Sequence, residues 1–133
     1  MRLIDIEGIG RAYAAKLRKV GIRSVEGLLK AGAKPKSRKE IAKAAGFQAR
    51  TILEWVNRAD LYRVKGIGRQ YSDLLEKAGV DTVVELSKRD PRKLFATMGE
   101  VNLKKNLVNQ MPTKKQVGAW IRHAKKLPRV VKY

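Results

Sequence analysis

Two short segments, Gly8-Ile9-Gly10-Arg11 and Gly66-Ile67-Gly68-Arg69, carry the residue types best suited to chemistry with an anion. Glycine lacks a Cβ, so a turn built on it can face successive backbone N–H groups outward at the start of a helix. The helix dipole favours negative charge at that end, and a phosphate fits such a site. The middle residue, Ile9 or Ile67, is apolar and is expected to tuck inward and hold the turn against a core. An arginine follows each turn, Arg11 or Arg69, and adds a cation beside the amides.

Other chemistry is poorly provided for. The 133 residues include no Cys and a single His, His123, which removes disulfides, thiolate catalysis and Cys- or His-clustered metal sites. The 12 acids are scattered, whereas a nuclease needs convergent carboxylates for its metal. The glycine turns lack the Gly-Lys-Ser/Thr ending of a nucleotide-binding loop. The expectation is therefore a binding protein and not an enzyme, with no catalytic residue, metal or cofactor. Against those 12 acids stand 31 Lys and Arg, a net charge of +19, which calls for a polyanionic partner. No apolar run is long enough to span a membrane, and Met1-Arg2-Leu3-Ile4-Asp5-Ile6 turns acidic too early for a signal peptide, so the expected location is cytoplasmic, with no membrane partner.

The elements that must position the turns are visible as an internal repeat. Gly8-Ile9-Gly10-Arg11-Ala12-Tyr13, continuing to Leu17 and Val20-Gly21-Ile22, recurs as Gly66-Ile67-Gly68-Arg69-Gln70-Tyr71, continuing to Leu75 and Ala78-Gly79-Val80. Trp55-Val56 and Ala59 match Trp120-Ile121 and Ala124. Tyr13, Leu17 and Val20 fall on one helical face, as do Tyr71, Leu75 and Ala78, so both tyrosines are expected in the core. Gly21 and Gly79 suit a left-handed helix stop. Ser24 and Thr82 are natural N-caps, Ser37-Arg38-Lys39-Glu40 has capping-box spacing, and Asp90-Pro91 sets a cap before a first-turn proline. Amphipathic helices carrying Trp55 and Trp120 close the halves. With no convincing strand, the expected class is all-α.

The second glycine turn follows the Trp55 helix, but the first has no room for a helix ahead of it. The expectation is two repeats, 1–63 and 64–133, with the C-terminal helix packing back on the first turn to give a compact pseudo-two-fold domain. The same contact made between chains would give a domain-swapped dimer in place of a monomer.

An amphipathic helix, a Gly-Ile-Gly turn and a second helix opening with small and apolar residues resemble the helix-hairpin-helix motif. Residues 64–75 resemble it closely and residues 6–17 do so too. Nearly the full chain is similar to an uncharacterised family of small tandem helix-hairpin-helix proteins. The resemblance implies binding of DNA phosphates without sequence readout, the donors being the amides of Gly10, Ala12 and Tyr13 and of Gly68, Gln70 and Tyr71, with Gly8 and Gly66 forming the turns. Arg11 and Arg69 depart from the proline or small residue that related hairpins often carry there.

Further cations flank the turns. Lys34, Lys36, Arg38 and Lys39 surround one helix start, and Lys88, Arg89, Arg92 and Lys93 the matching one; Lys36, Arg38, Lys39, Arg92 and Lys93 are the candidate flanking contacts. A basic surface gathers phosphates through counterion release. A rival motif runs from Ile41 to Trp55 with helix-turn-helix spacing, in which Gln48, Arg50 and Thr51 would open a recognition helix. It has no counterpart in the second half, and its Ile52, Trp55 and Val56 suit a core. The expected function is non-sequence-specific double-stranded DNA binding, nucleoid-associated, in an architectural, repair or replication role. Structured-RNA or ribosome-associated binding and a protein-interaction module are the alternatives; at 6% aromatics the chain is poor in bases' stacking platforms.

Overall fold

Local helix-start and helix-stop chemistry sets the order of elements in the computed structural model, which describes residues 1–133. A short 3-10 turn, Leu3–Asp5, precedes α1 (Arg11–Lys19), α2 (Val25–Ala31), α3 (Pro35–Ala45), α4 (Ala49–Leu61), α5 (Arg69–Lys77), α6 (Val83–Ser87), α7 (Pro91–Lys105) and α8 (Lys114–Lys126), and there is no strand. The class is all-α. Ser24 Oγ accepts from Gly27 N at 3.0 Å, Thr82 Oγ1 from Glu85 N at 3.2 Å, and Asp90 Oδ1 from Arg92 N and Lys93 N at 2.9 and 3.1 Å. Gly21 and Gly79 end their helices with φ of 89° and 95°. Ser37 does not cap: α3 already starts at Pro35, so Ser37 lies inside its first turn, and Lys34 is the N-cap, without a side-chain bond.

The chain divides into two units, Met1–Asp60 with Val130–Tyr133, and Leu61–Arg129. In the first, Leu17, Leu28, Ile52 and Val56 are fully buried, each worth about 1.5–3 kcal/mol of apolar transfer. Its ends are tied by long-range bonds. Val25 N donates to Met1 O at 3.1 Å, and Lys132 N to Ala33 O at 2.7 Å. The tail also buries Val131, and Tyr133 Oη donates to Asn57 Oδ1 at 3.0 Å.

In the second unit a core of Leu74, Leu75, Leu86, Leu94, Met98 and Ile121 gathers α5 to α8. Thr113 and Gln116 form a reciprocal capping box at the start of α8. Asn102 pins the segment after α7, its side chain bonding both the N–H and the carbonyl of Val108 at 3.0 and 3.1 Å.

Helix α8 belongs to the second unit, packed on α6 and α7, and the four-residue tail beyond it belongs to the first. The division falls at Asp60/Leu61. The physical reason lies in the tryptophans: each packs under the glycine turn that precedes it in its own half, Trp55 under Gly8 and Trp120 under Gly66.

Candidate functional site

Each glycine turn is closed by one short bond, Ile9 N to Ile6 O at 3.1 Å and Ile67 N to Val64 O at 3.2 Å, and the middle isoleucine is buried as expected. Gly8 and Gly66 sit at φ of 94° and 96°, a left-handed conformation that favours glycine. Space is also short there. A Cβ on Gly8 would lie 3.2 Å from Trp55 Nε1, and one on Gly66 2.9 Å from Trp120 Nε1.

The second glycine of each turn is different. Gly10 (φ −91°) and Gly68 (φ −108°) have backbones open to any residue, and a Cβ on either would meet nothing within 4 Å. They are the N-caps of α1 and α5, and neither helix has a side-chain cap. The hydrogen-bond ladders begin with Ala14 N to Gly10 O and Ser72 N to Gly68 O, both 2.9 Å. The amides of Gly10, Ala12 and Tyr13, and those of Gly68, Gln70 and Tyr71, therefore precede the ladders and carry the positive end of each dipole. Arg11 and Arg69 are exposed beside them.

Aromatic rings lie along both segments. Tyr13, expected in the core, is 44% exposed; its ring stands edge-on to Phe47 at 5.1 Å and 5.9 Å from Trp55, and Ala14 takes the buried position on α1. Tyr71 is half-buried, 5.3 Å from Trp120, with its hydroxyl donating to Gln110 O at 3.3 Å. His123, a lone residue in the sequence, braces the second turn: its Nδ1 accepts from Lys65 N at 3.1 Å. It stands three residues after Trp120, less than one helical turn, and a lone histidine there carries no mark of this role in the sequence.

The flanking cations divide into two kinds. Lys36 and Lys39 are exposed on the first turns of α3. Arg38 is not a surface contact: it is 5% exposed, and its guanidinium donates to Gly32 O, Ala33 O and Lys132 O at 2.8, 3.1 and 2.7 Å. Its position within the basic cluster hid a buried structural role. Arg92 and Lys93 are exposed on the first turn of α7, where bonds from Lys93 N and then Arg92 N hold the Asp90 carboxyl below its ordinary range. Arg92 also lines a cleft of about 490 Å³ with Lys114, Lys115 and Arg122 over the buried Gly118. The three partners of Arg92 there are individually unremarkable cations in sequence and converge only through the packing of α7 on α8.

The rival motif has the right outline, with α3, a left-handed Gly46 and α4, and with Gln48 and Arg50 exposed. A recognition helix must keep a face open, however, and α4 is buried at every position from Trp55 to Leu61. No three His, Cys, Asp or Glu side chains are grouped to hold a metal ion, and no helix is long and apolar enough to cross a membrane.

A family model, the domain of unknown function DUF4332, matches residues 7–127, from the first glycine turn to the end of α8. The chain belongs to the DUF4332 family. Both glycine turns and both tryptophan helices of this DUF4332 chain lie within the match, and the tail that Arg38 holds lies outside it. Neither a curated protein nor a solved structure matches the chain.

Proposed function

We propose that this DUF4332 protein binds double-stranded DNA without reading its sequence, through the backbone amides of the two glycine turns and the cations around them. The observation that carries the reading is the contrast among helix starts. Four helix starts are closed by a side chain, Ser24, Thr82, Asp90 and Thr113 each accepting from their own first turn, and α3 opens on Lys34 ahead of a first-turn proline without such a bond. At α1 and α5 the chain uses glycine, although neither backbone nor space requires one. Glycine there leaves the amides uncapped and lets a bulky anion come close. The resemblance to helix-hairpin-helix elements and the net charge of +19 favour a nucleic-acid backbone as that anion.

In this reading the amides of Gly10, Ala12, Tyr13, Gly68, Gln70 and Tyr71 hold phosphates, Arg11 and Arg69 neutralise them, and Lys36, Lys39, Arg92 and Lys93 extend the contact. Arg38 drops out. The role is binding and not catalysis, and a nucleoid location follows from the partner. Fluorescence anisotropy with a short mixed-sequence duplex tests it. If roughly 4–8 phosphates are neutralised, log affinity falls with log salt at a slope of about −4 to −7. Single-stranded DNA and duplex RNA are expected to compete weakly. Preferential capture of RNA, or no binding, overturns the DNA reading.

A further inference from the structure

We infer that the indole N–H groups of Trp55 and Trp120 belong to the anion site, each donating to the phosphate held at its own glycine turn. This inference rests on the phosphate-binding reading and adds two ligating groups to it. Both tryptophans are only 4% exposed. Neither indole N–H has a hydrogen-bond acceptor in the protein, and neither nitrogen is sealed from solvent. Buried tryptophans ordinarily place that N–H on a partner, so two unpartnered ones at matching places point to an acceptor that arrives from outside.

Their position says where it arrives. Nε1 of Trp55 lies beside Gly8 and that of Trp120 beside Gly66, close enough that any Cβ on those glycines would cover it. Each indole also touches the tyrosine at the other end of the same segment, Tyr13 at 5.9 Å and Tyr71 at 5.3 Å between ring centroids. The rings thus lie along residues 8–13 and 66–71, the stretches that carry the uncapped amides. Left-handed Gly8 and Gly66 then serve twice: they make the turn, and they keep the indole nitrogen uncovered.

The chemistry of the site selects its ligand. Backbone N–H, indole N–H and the guanidinium of the following arginine are all donors and cannot accept. A group that offers only acceptors and carries negative charge meets every one of them, as the two non-bridging oxygens of a phosphodiester do. A ligand bearing hydroxyl or ammonium donors at that position leaves its own donors unmatched.

The chain has two tryptophans, so its ¹H–¹⁵N spectrum carries two indole signals that can be followed without any mutation. Titrating the labelled full chain with a short mixed-sequence DNA duplex, both indole signals are expected to shift and to exchange more slowly with water, in step with the amides of Gly10 and Gly68. Trp55→Phe with Trp120→Phe keeps aromatic packing but removes the donors, and is expected to weaken duplex binding about tenfold, about 1.4 kcal/mol. If the glycine amides respond and the indoles do not, or the indoles respond and the amides do not, the inference is overturned while duplex binding itself stands. If nothing responds and anisotropy shows no binding, both it and the DNA reading fall.

Discussion

The guanidinium of Arg38 donates to the backbone carbonyl of Lys132 at 2.7 Å, across 94 positions of sequence. The same group holds the carbonyls of Gly32 and Ala33, so one buried cation fastens the end of α2 to the tail. Arg38→Ala strands those carbonyls, and the expected loss of stability is about 2 kcal/mol in chemical denaturation. Because the side chain is buried, the slope of DNA affinity against salt should stay at the wild-type value. A reduced slope would return Arg38 to the interface.

Glycine substitutions separate architecture from binding. Gly66→Ala forces a left-handed alanine whose methyl lies against Trp120, and thermal unfolding is expected to show a loss of about 1–3 kcal/mol. Gly10→Ala and Gly68→Ala fit their backbones and meet open space, so the melting temperature should change little, alanine's poorer N-cap offsetting a less flexible unfolded chain. The same two methyls stand where phosphate approaches, and duplex affinity of the double variant should drop at least several-fold. Full affinity in a stable double alanine variant would remove these amides from the interface.

Charge reversal tests the arginines that follow the turns. Arg11→Glu with Arg69→Glu places two carboxylates beside the uncapped amides. Duplex binding is expected to weaken by well over tenfold at moderate salt, with a shallower salt dependence. Anisotropy at matched ionic strength reads both quantities, and an affinity equal to wild type would show that the turns do not meet DNA.

Acid should loosen the start of α7. Folding lowers the Asp90 carboxyl chiefly through the amide of Lys93, so its contribution to stability is present above the ordinary carboxylate range and is lost as pH falls through its lower folded value. Melting temperatures of the wild type and Asp90→Asn should differ at neutral pH and converge as the solution is acidified. A gap that persists unchanged in acid would mean that the carboxylate's charge is not what closes this helix.

Local chemistry made much of this fold legible. Ser24, Thr82 and Asp90 bond amides two or three residues ahead, and Gly21 and Gly79 close the helix behind them, so short windows of sequence suffice. The glycine turns were legible for the same reason, including inward Ile9 and Ile67. What failed depended on distant partners. Arg38 looks like its neighbours Lys36 and Lys39 until Lys132 is brought beside it, and His123 gains meaning only next to Lys65. Periodicity put Tyr13 on the buried face, but Phe47 and Trp55 offered its ring an edge at the surface, and small Ala14 filled the core position. The contact of each tryptophan with the glycine turn of its own half, Trp55 with Gly8 and Trp120 with Gly66, joins residues far apart in sequence, and no local pattern announces it.

The tail that completes the first unit gives the chain an order of events during synthesis. Residues 1–60 leave the ribosome ahead of residues 130–133, and until those are made Arg38 has no Lys132 carbonyl and Asn57 no Tyr133 hydroxyl. The segment made in between, Leu61–Arg129, holds all of its own core and can reach its final packing first. A released chain cut before Val130 should therefore show protected amides in α5 to α8 while α2 and α3 still exchange, the reverse of the order in which the helices are made.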